Sequence, residues 1–330
     1  MADGEPDRLE PTDEVAERLA RLGERSLVWP EVCRRAGVEH ELADRLWRAL
    51  GFPDVPEDEP AYTEEDVQAL RIAGEGFDGL TGVDRARAVE LLVREARVVS
   101  AHLTSIAETE VDAIAELSTL GLRRRALSEA FERGLERSEL GWLIFYALRR
   151  RLDEALRRRA GAEIGEQPVL AVGFIDLVAF TRASGAMEAD AFAGLLDRFE
   201  MLTSDLVTEA GGRVVKLIGD EAMLVCPTPA GAARAALEIL AATGLLELPP
   251  ARAGLAFGPL LARGGDYFGP AANLASRLIA GAQPGTVVVD RRLAEALRSD
   301  ATFSLTELGR RMVKDVGEIE LFRVASADPG

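Results

Sequence analysis

Residues 169–226 constrain the fold of this chain more than any other stretch. They read VLAVGFIDLVAFT, then a helical run, then VVKLIGDEAMLVC. Three apolar, β-branched-rich runs, 169–176, 214–218 and 222–226, have the length and composition of strands. Gly219-Asp220-Glu221 separates the second from the third, the signal of a tight hairpin. Between the first two, Phe192, Leu195, Leu196, Phe199, Leu202 and Leu206 recur at helical spacing. A helix-like stretch at 228–242 and a strand-like one at 251–257 follow.

The order β-α-β-β-α-β is the ferredoxin-like split βαβ arrangement. It has a chemical consequence, because its first and third strands are antiparallel neighbours. Asp176 lies at the exit of the first, and Asp220 in the turn that feeds the third. Two carboxylates distant in sequence are thereby expected at one end of one sheet. Bare carboxylates side by side raise each other's pKa, and a divalent cation between them removes that cost. Either Asp alone reads as an ordinary strand-end or turn residue; together they read as a metal pair.

A length of 330 residues suits about two domains. The formal net charge of -17 opposes nonspecific attachment to nucleic acid or anionic membrane. Cys33 and Cys226 are the only cysteines, without a CxxC or a histidine cluster, which argues against a zinc site or a disulfide framework. Cysteine usage fits a reducing, cytoplasmic setting. The start of the chain is acidic and polar rather than a signal peptide, and no apolar run is long enough for a membrane span.

Residues 13–160 are patterned as helix almost throughout. Val15, Leu19 and Leu22 share a face; Thr63 followed by Asp66 is a helix-start signal of the capping-box type. Long periodic helices are expected over 84–117 and 127–159, the latter interrupted only at Gly134 and Gly141. The apolar centre of that second helix, 140–146, suits a buried or dimer-facing position. Residues 29–50 read as helix, Gly-containing turn, helix, the outline of a DNA-reading motif but also of any two packed helices. The acids in HELADRLWRAL and in the loop after it would meet phosphates poorly, so nucleic acid is not the expected partner. The Arg triplets at 123–125, 149–151 and 157–159 read as solvated helix faces, and His40 and His102 as packing or surface residues. Glycines and a proline at 160–168 mark a linker. The expected organisation is a helical domain over 1–159, a linker over 160–168 and an α+β domain over 169–325.

Beyond Phe257 the chain reads GPLLARGGDYFGPAANLASRLIAGAQPG. Asn273 and Arg277 are four apart, so they share one face of a helix that begins near Pro270. FIDLVAFT, KLIGDEAM, GDYFGPAANLASRL and RRMVKDV, in this order, resemble the catalytic domain of class III nucleotidyl cyclases. The likeness spans 168–325 and rests on several separated motifs. It implies that Asp176 and Asp220 hold two divalent cations, Mg²⁺ or Mn²⁺. It further implies that Lys216 and Asp266 read the base, that Asn273 orients the ribose, that Arg277 meets the α-phosphate, and that Lys314 serves the terminal phosphates. Each of these residues alone reads equally well as structure: an edge-strand lysine, a turn aspartate, a surface cation. Lys216 can only donate and ionised Asp266 can only accept, which complements adenine; the residue types by themselves leave guanine open. The resemblance points to ATP, since guanylate-specific relatives usually carry other residues at these two positions. It also implies a head-to-tail homodimer with two shared sites. Ala179, Ala272 and Asp315 depart from the common Gly, Val and Gly of the family. The helical half, through RAGVEHELADRLWRALGFPDV, is similar to the regulatory domain of soluble, pH-responsive actinobacterial adenylate cyclases. The expectation is an adenylate cyclase regulated by its helical half. A weakly catalytic nucleotide sensor and a guanylate cyclase are the alternatives.

Overall fold

The computed structural model describes residues 25–76, 79–119, 139–159, 167–178, 180 and 187–327. The chain divides into two compact units, Met1–Gly161 and Ala162–Gly330.

The first unit is helical: α1 (Trp29–Ala36), α2 (His40–Ala49), α3 (Glu64–Glu75), α4 (Gly82–Thr119) and α5 (Glu139–Arg159). Pro30 opens α1, where a missing N–H costs nothing, and Gly37 closes it at φ 75°, a left-handed stop. Thr63 and Asp66 form the expected capping box on α3, with Thr63 N–H donating to Asp66 at 2.7 Å. The apolar faces of α1, α2 and α3 and the start of α4 meet in a core built on Val32, Ala43, Leu46, Tyr62, Val67 and Val93. Trp29 donates to Asp44 at 2.7 Å and packs against Trp47 and Tyr62. The two arginines of α2 are engaged by carboxylates, Arg45 with Glu90 at 2.7 Å and Arg48 with Asp54 at 3.0 Å. Within this unit the aromatic part of α5 is not buried: Trp142 is 64% and Phe145 62% exposed. Residues 127–138 and the face of Val15, Leu19 and Leu22 lie outside the described residues.

The second unit opens with β1 (Val169–Leu177), α6 (Ala189–Glu209), β2 (Arg213–Ile218), β3 (Glu221–Cys226), α7 (Pro229–Thr243) and β4 (Ala251–Pro259). A small arm follows, β5 (Leu261–Arg263) and β6 (Asp266–Phe268), then α8 (Pro270–Gly281), β7 (Val287–Asp290), α9 (Arg291–Leu297), β8 (Phe303–Val313) and β9 (Gly317–Ser326). Seven strands form one sheet in the order β2-β3-β1-β4-β7-β9-β8, while β5 and β6 pair apart from it. β3 is antiparallel to both β1 and β2, and β4 is antiparallel to β1. Odd-numbered residues of β1, such as Ala171 and Ile175, join the larger core with residues of α6, α7 and α9. Even-numbered ones, Val172 and Phe174, face α8. Gly254 makes that second layer thin: a Cβ there would stand 2.5 Å from Ile279 N and 2.6 Å from Ala275 O. The backbone of α8 therefore lies directly on β4.

The apolar run 303–308 and residues 309–313 form one strand, β8, whose register against β9 shifts between Glu307 and Gly309. Gly309 sits at φ 75°, so one extra residue is absorbed as a bulge and the ladder resumes.

Candidate active site

Asp176 is the penultimate residue of β1 and stands in register with Glu221 of β3 and Arg252 of β4. Gly219, at φ 61°, lets β2 return into β3 through a two-residue turn that carries Asp220. Leu177 N–H donates to Asp220 O at 3.2 Å and ties that turn to the end of β1. The two aspartates expected together are thus brought together. Burial first, then ionised Asp176 and a hydrogen bond shared with it, push the Asp220 carboxyl above its ordinary value. Glu221 is raised as well, by burial first and then by Asp176 and Asp220.

Arg252 answers this negative charge. Its Nε and Nη2 both donate to Asp176 Oδ2, at 2.8 and 2.7 Å, and the Asp176 side chain is only 16% exposed. Arg252 and Glu221 were not among the residues expected here. An Arg opening an apolar run looks like a strand-end cation, and only the β1–β4 register places it opposite Asp176. Among the described residues no group of three or more His, Cys, Asp or Glu is arranged to hold a metal ion. The pair Asp176–Asp220 nonetheless fits a hard divalent cation: both donors are carboxylates, and Asp176 disfavours the charge on Asp220 when the pair is bare. A Mg²⁺-type ion typically takes one or two carboxylates and completes its shell with water and phosphate.

Lys216 and Asp266 meet 50 residues apart in sequence, Nζ to Oδ2 at 2.5 Å. Lys216 comes from the edge strand β2, Asp266 from the first position of β6. The other oxygen of Asp266 accepts from Tyr267 N–H at 2.7 Å, so both oxygens are engaged. Electrostatically Glu221 lies between the two pairs: its pKa responds to Asp176 and Asp220 on one side and to Lys216 on the other.

Asn273 and Arg277 project from α8 and are exposed, and Lys314 is exposed in the turn between β8 and β9. Arg277 Nη2 reaches Asp315 Oδ2 at 3.3 Å across that turn. Asp315, at φ 63°, adopts the left-handed conformation that the family's usual Gly takes without strain, and its carboxylate engages Arg277. Ala272 is on the buried face of α8, and Ala179 lies outside the described residues. Among the described residues no hydrogen bond or ion pair connects Asn273, Arg277 or Lys314 with the Asp176–Asp220 end of the same chain.

Residues 164–326 match the family of the adenylate and guanylate cyclase catalytic domain. An adenylate cyclase of Glutamicibacter nicotianae is 34% identical over 341 residues, covering 96% of this chain and 83% of that one. An adenylate cyclase of Streptomyces coelicolor is 38% identical over 313 residues, 88% of this chain and 78% of the relative. The chain belongs to the class III nucleotidyl cyclases. This cyclase also resembles a protein of Mycobacterium tuberculosis named a pH-sensitive adenylate cyclase, 32% identical over 318 residues, 89% of this chain and 77% of that one. Adenylate cyclase is the enzyme class in which it falls, and its catalytic domain binds a nucleotide. In the described residues of the cyclase no helix is long and apolar enough to cross a membrane.

Proposed function

We propose that this cyclase converts ATP into 3′,5′-cyclic AMP and pyrophosphate, and that Asp176, Asp220, Lys216, Asp266, Asn273, Arg277 and Lys314 carry the reaction. The juxtaposition of Asp176 and Asp220 at one sheet end supports this most directly. The strand order β2-β3-β1-β4 supports the ferredoxin-like reading that predicted it. Ring closure requires attack of the ribose 3′-hydroxyl on the α-phosphorus. Divalent cations held by Asp176 and Asp220 would supply a lowered pKa for that hydroxyl and neutralisation of the triphosphate. The protein's own contribution is positioning and charge. Lys216 donates to the adenine ring nitrogen, and Asp266 accepts from the exocyclic amine. Asn273 orients the ribose. Arg277 presents a planar cationic fork to charge building on the α-phosphate, and Lys314 a point charge to the terminal phosphates. Arg252 fixes the direction of the Asp176 carboxylate.

The exposed positions of Arg277 and Lys314, with no hydrogen bond or ion pair to Asp176 or Asp220 of their own chain among the described residues, support a head-to-tail homodimer with two shared sites. The exposed apolar side chains of α5 support dimerisation through the helical unit as well. The arginine–carboxylate pairs on α2 speak against a nucleic-acid partner. Cys33 and Cys226 are unpaired and buried, which suits a cytoplasmic setting. Regulation by the helical unit is tested by comparing the whole chain with a fragment beginning at Pro168 across about pH 5.5 to 8. Equal activity at every pH removes that part of the proposal.

The deciding assay incubates purified protein with ATP or GTP, with Mg²⁺ or Mn²⁺, and identifies the product. Cyclic AMP is expected. Cyclic GTP-derived product in its place would make this a guanylate cyclase, and nucleotide binding without turnover a sensor.

A further inference from the structure

The arm β5–β6 carries three residues on each strand and pairs with no strand of the main sheet. So short a hairpin has almost no stability of its own in water. Asp266 nevertheless sits on it, and a base-reading carboxylate is useful only at a fixed place. Beside the packing of Tyr267 against the α8 cluster, the edge strand β2 supplies the polar contacts that fix the arm.

Arg213, the first residue of β2, grips both neighbours of Asp266. Its Nη2 donates to Gly265 O at 3.3 Å. Its guanidinium carbon stands 5.0 Å from the centre of the Tyr267 ring, a cation–π distance. Tyr267 N–H in turn holds Asp266 Oδ1 at 2.7 Å, while Lys216 takes Oδ2. Residues 213 and 216 are three apart, so in an unbroken strand they would face opposite sides. The register shift between Val214 and Lys216 adds one residue to β2. It aligns Arg213 with Val225 and Lys216 with Met223, two residues that share one face of β3. The irregularity is what lets one strand present both cations to the same arm.

We infer that Arg213 and Tyr267 are positioning residues that set base selectivity, by holding Asp266 and Lys216 at the separation that adenine's acceptor and amine require. This rests on the proposal that Lys216 and Asp266 read the base. Among the described residues no hydrogen bond or ion pair joins Arg213 to the carboxylate pair or to α8, whereas Tyr267 packs against the cluster that holds Ala271 and Ala272 of α8. Arg213 is therefore the end of the clasp whose loss acts on recognition of the base rather than on the phosphate chemistry. A hydrogen bond and a cation–π contact together correspond to about ten-fold in an equilibrium.

The test is steady-state kinetics of the full-length chain with Mn²⁺ and either ATP or GTP. Arg213→Ala and Tyr267→Ala are each expected to raise KM for ATP by about ten-fold. The ATP-to-GTP ratio of kcat/KM falls by a similar factor in both, while kcat for ATP stays within about three-fold in Arg213→Ala. Tyr267→Phe keeps the ring face and restores the wild-type ratio. If Arg213→Ala does not fold, Arg213→Gln carries the same expectation. The inference is overturned if the ratio is unchanged in the Ala variants, if kcat falls for both nucleotides with the ratio intact, or if Tyr267→Phe is as damaging as Tyr267→Ala. Lys216→Ala separates the two levels of the argument. A ratio that survives Lys216→Ala sinks the base-reading assignment and the clasp with it; a ratio lost in Lys216→Ala but intact in Arg213→Ala sinks the clasp alone.

Discussion

Asp220 is held where the apo protein would rather not have a charge. Its folded pKa is raised, by burial first and then by Asp176. The native chain therefore keeps that proton to a higher pH than the unfolded chain does. The site's contribution to stability is fully present below the unfolded value and is lost as pH rises through the folded one. At neutral pH the metal-free protein bears the whole cost. Asp220→Asn removes it, so in chelator at pH 7 this variant should melt higher than wild type, by about 2 °C or more. The difference should shrink below about pH 4, where the wild-type carboxyl is neutral too. Adding Mn²⁺ should reverse the order by stabilising only the chain that binds it. Turnover should meanwhile fall on the order of 10²-fold or more, as for other lost electrostatic groups. Thermal melts with and without Mn²⁺ read all of this, and a variant that melts lower than wild type in chelator at pH 7 would refute the argument. Asp315 shows a related tension in the backbone. A non-glycine residue at positive φ costs roughly 1–2 kcal/mol, and its carboxylate meets Arg277, one of the proposed phosphate-binding cations.

The elements bring these residues to one place through close backbone contact, and Gly254 is where the tolerance is smallest. A methyl there would stand 2.5 Å from the backbone of α8, the helix that carries Asn273 and Arg277. Gly254→Ala should cost about 1–3 kcal/mol in denaturant unfolding and lower kcat by displacing α8. Gly244→Ala is the control: at φ -66° and with nothing within 4 Å it has room for a methyl. If both variants behave alike, α8 is not positioned by that contact. This level of the structure was partly legible in the sequence. Apolar runs ending in Asp176 and separated by Gly219-Asp220 specify two strands and a turn, and their topology brings the carboxylates together without further information. Lys216 and Asp266 were legible only through family resemblance, because nothing local joins residues 50 apart. Arg252 stayed hidden because its place depends on the β1–β4 register, and a slip of one residue would turn it to the other face. The full length of β8 stayed hidden because Gly309 looks like a strand terminus until the bulge is seen. Helical periodicity located α5 but could not say what covers its exposed Phe145 and Leu152.

Across the whole molecule the proposed catalytic groups fall into two sets. Asp176, Asp220 and Arg252 cluster at the ends of β1 and β4 and in the turn between β2 and β3, while Arg277 and Asp315 meet where α8 faces the β8–β9 turn. No bond among the described residues joins the sets within one chain, although a triphosphate in transition would need both. In the proposed homodimer a second copy related by a two-fold axis would supply each site with the set it lacks, and an isologous pairing would make two such sites. This yields a quantitative expectation. Asp176→Ala and Arg277→Ala homodimers each carry the same defect in both sites and should be nearly inactive. Mixed in equal amounts with free exchange, half of the dimers are mixed. Each mixed dimer carries one site with both defects and one with neither. The mixture should therefore recover about a quarter of wild-type specific activity, and it should follow the product of the two chain fractions as their ratio is varied. If each chain instead held a complete site, every site would keep one defect and mixing would restore nothing at any ratio. A titration of one variant against the other, read as cyclic AMP formed per chain, distinguishes a curve that peaks at equal amounts from a flat line at the baseline.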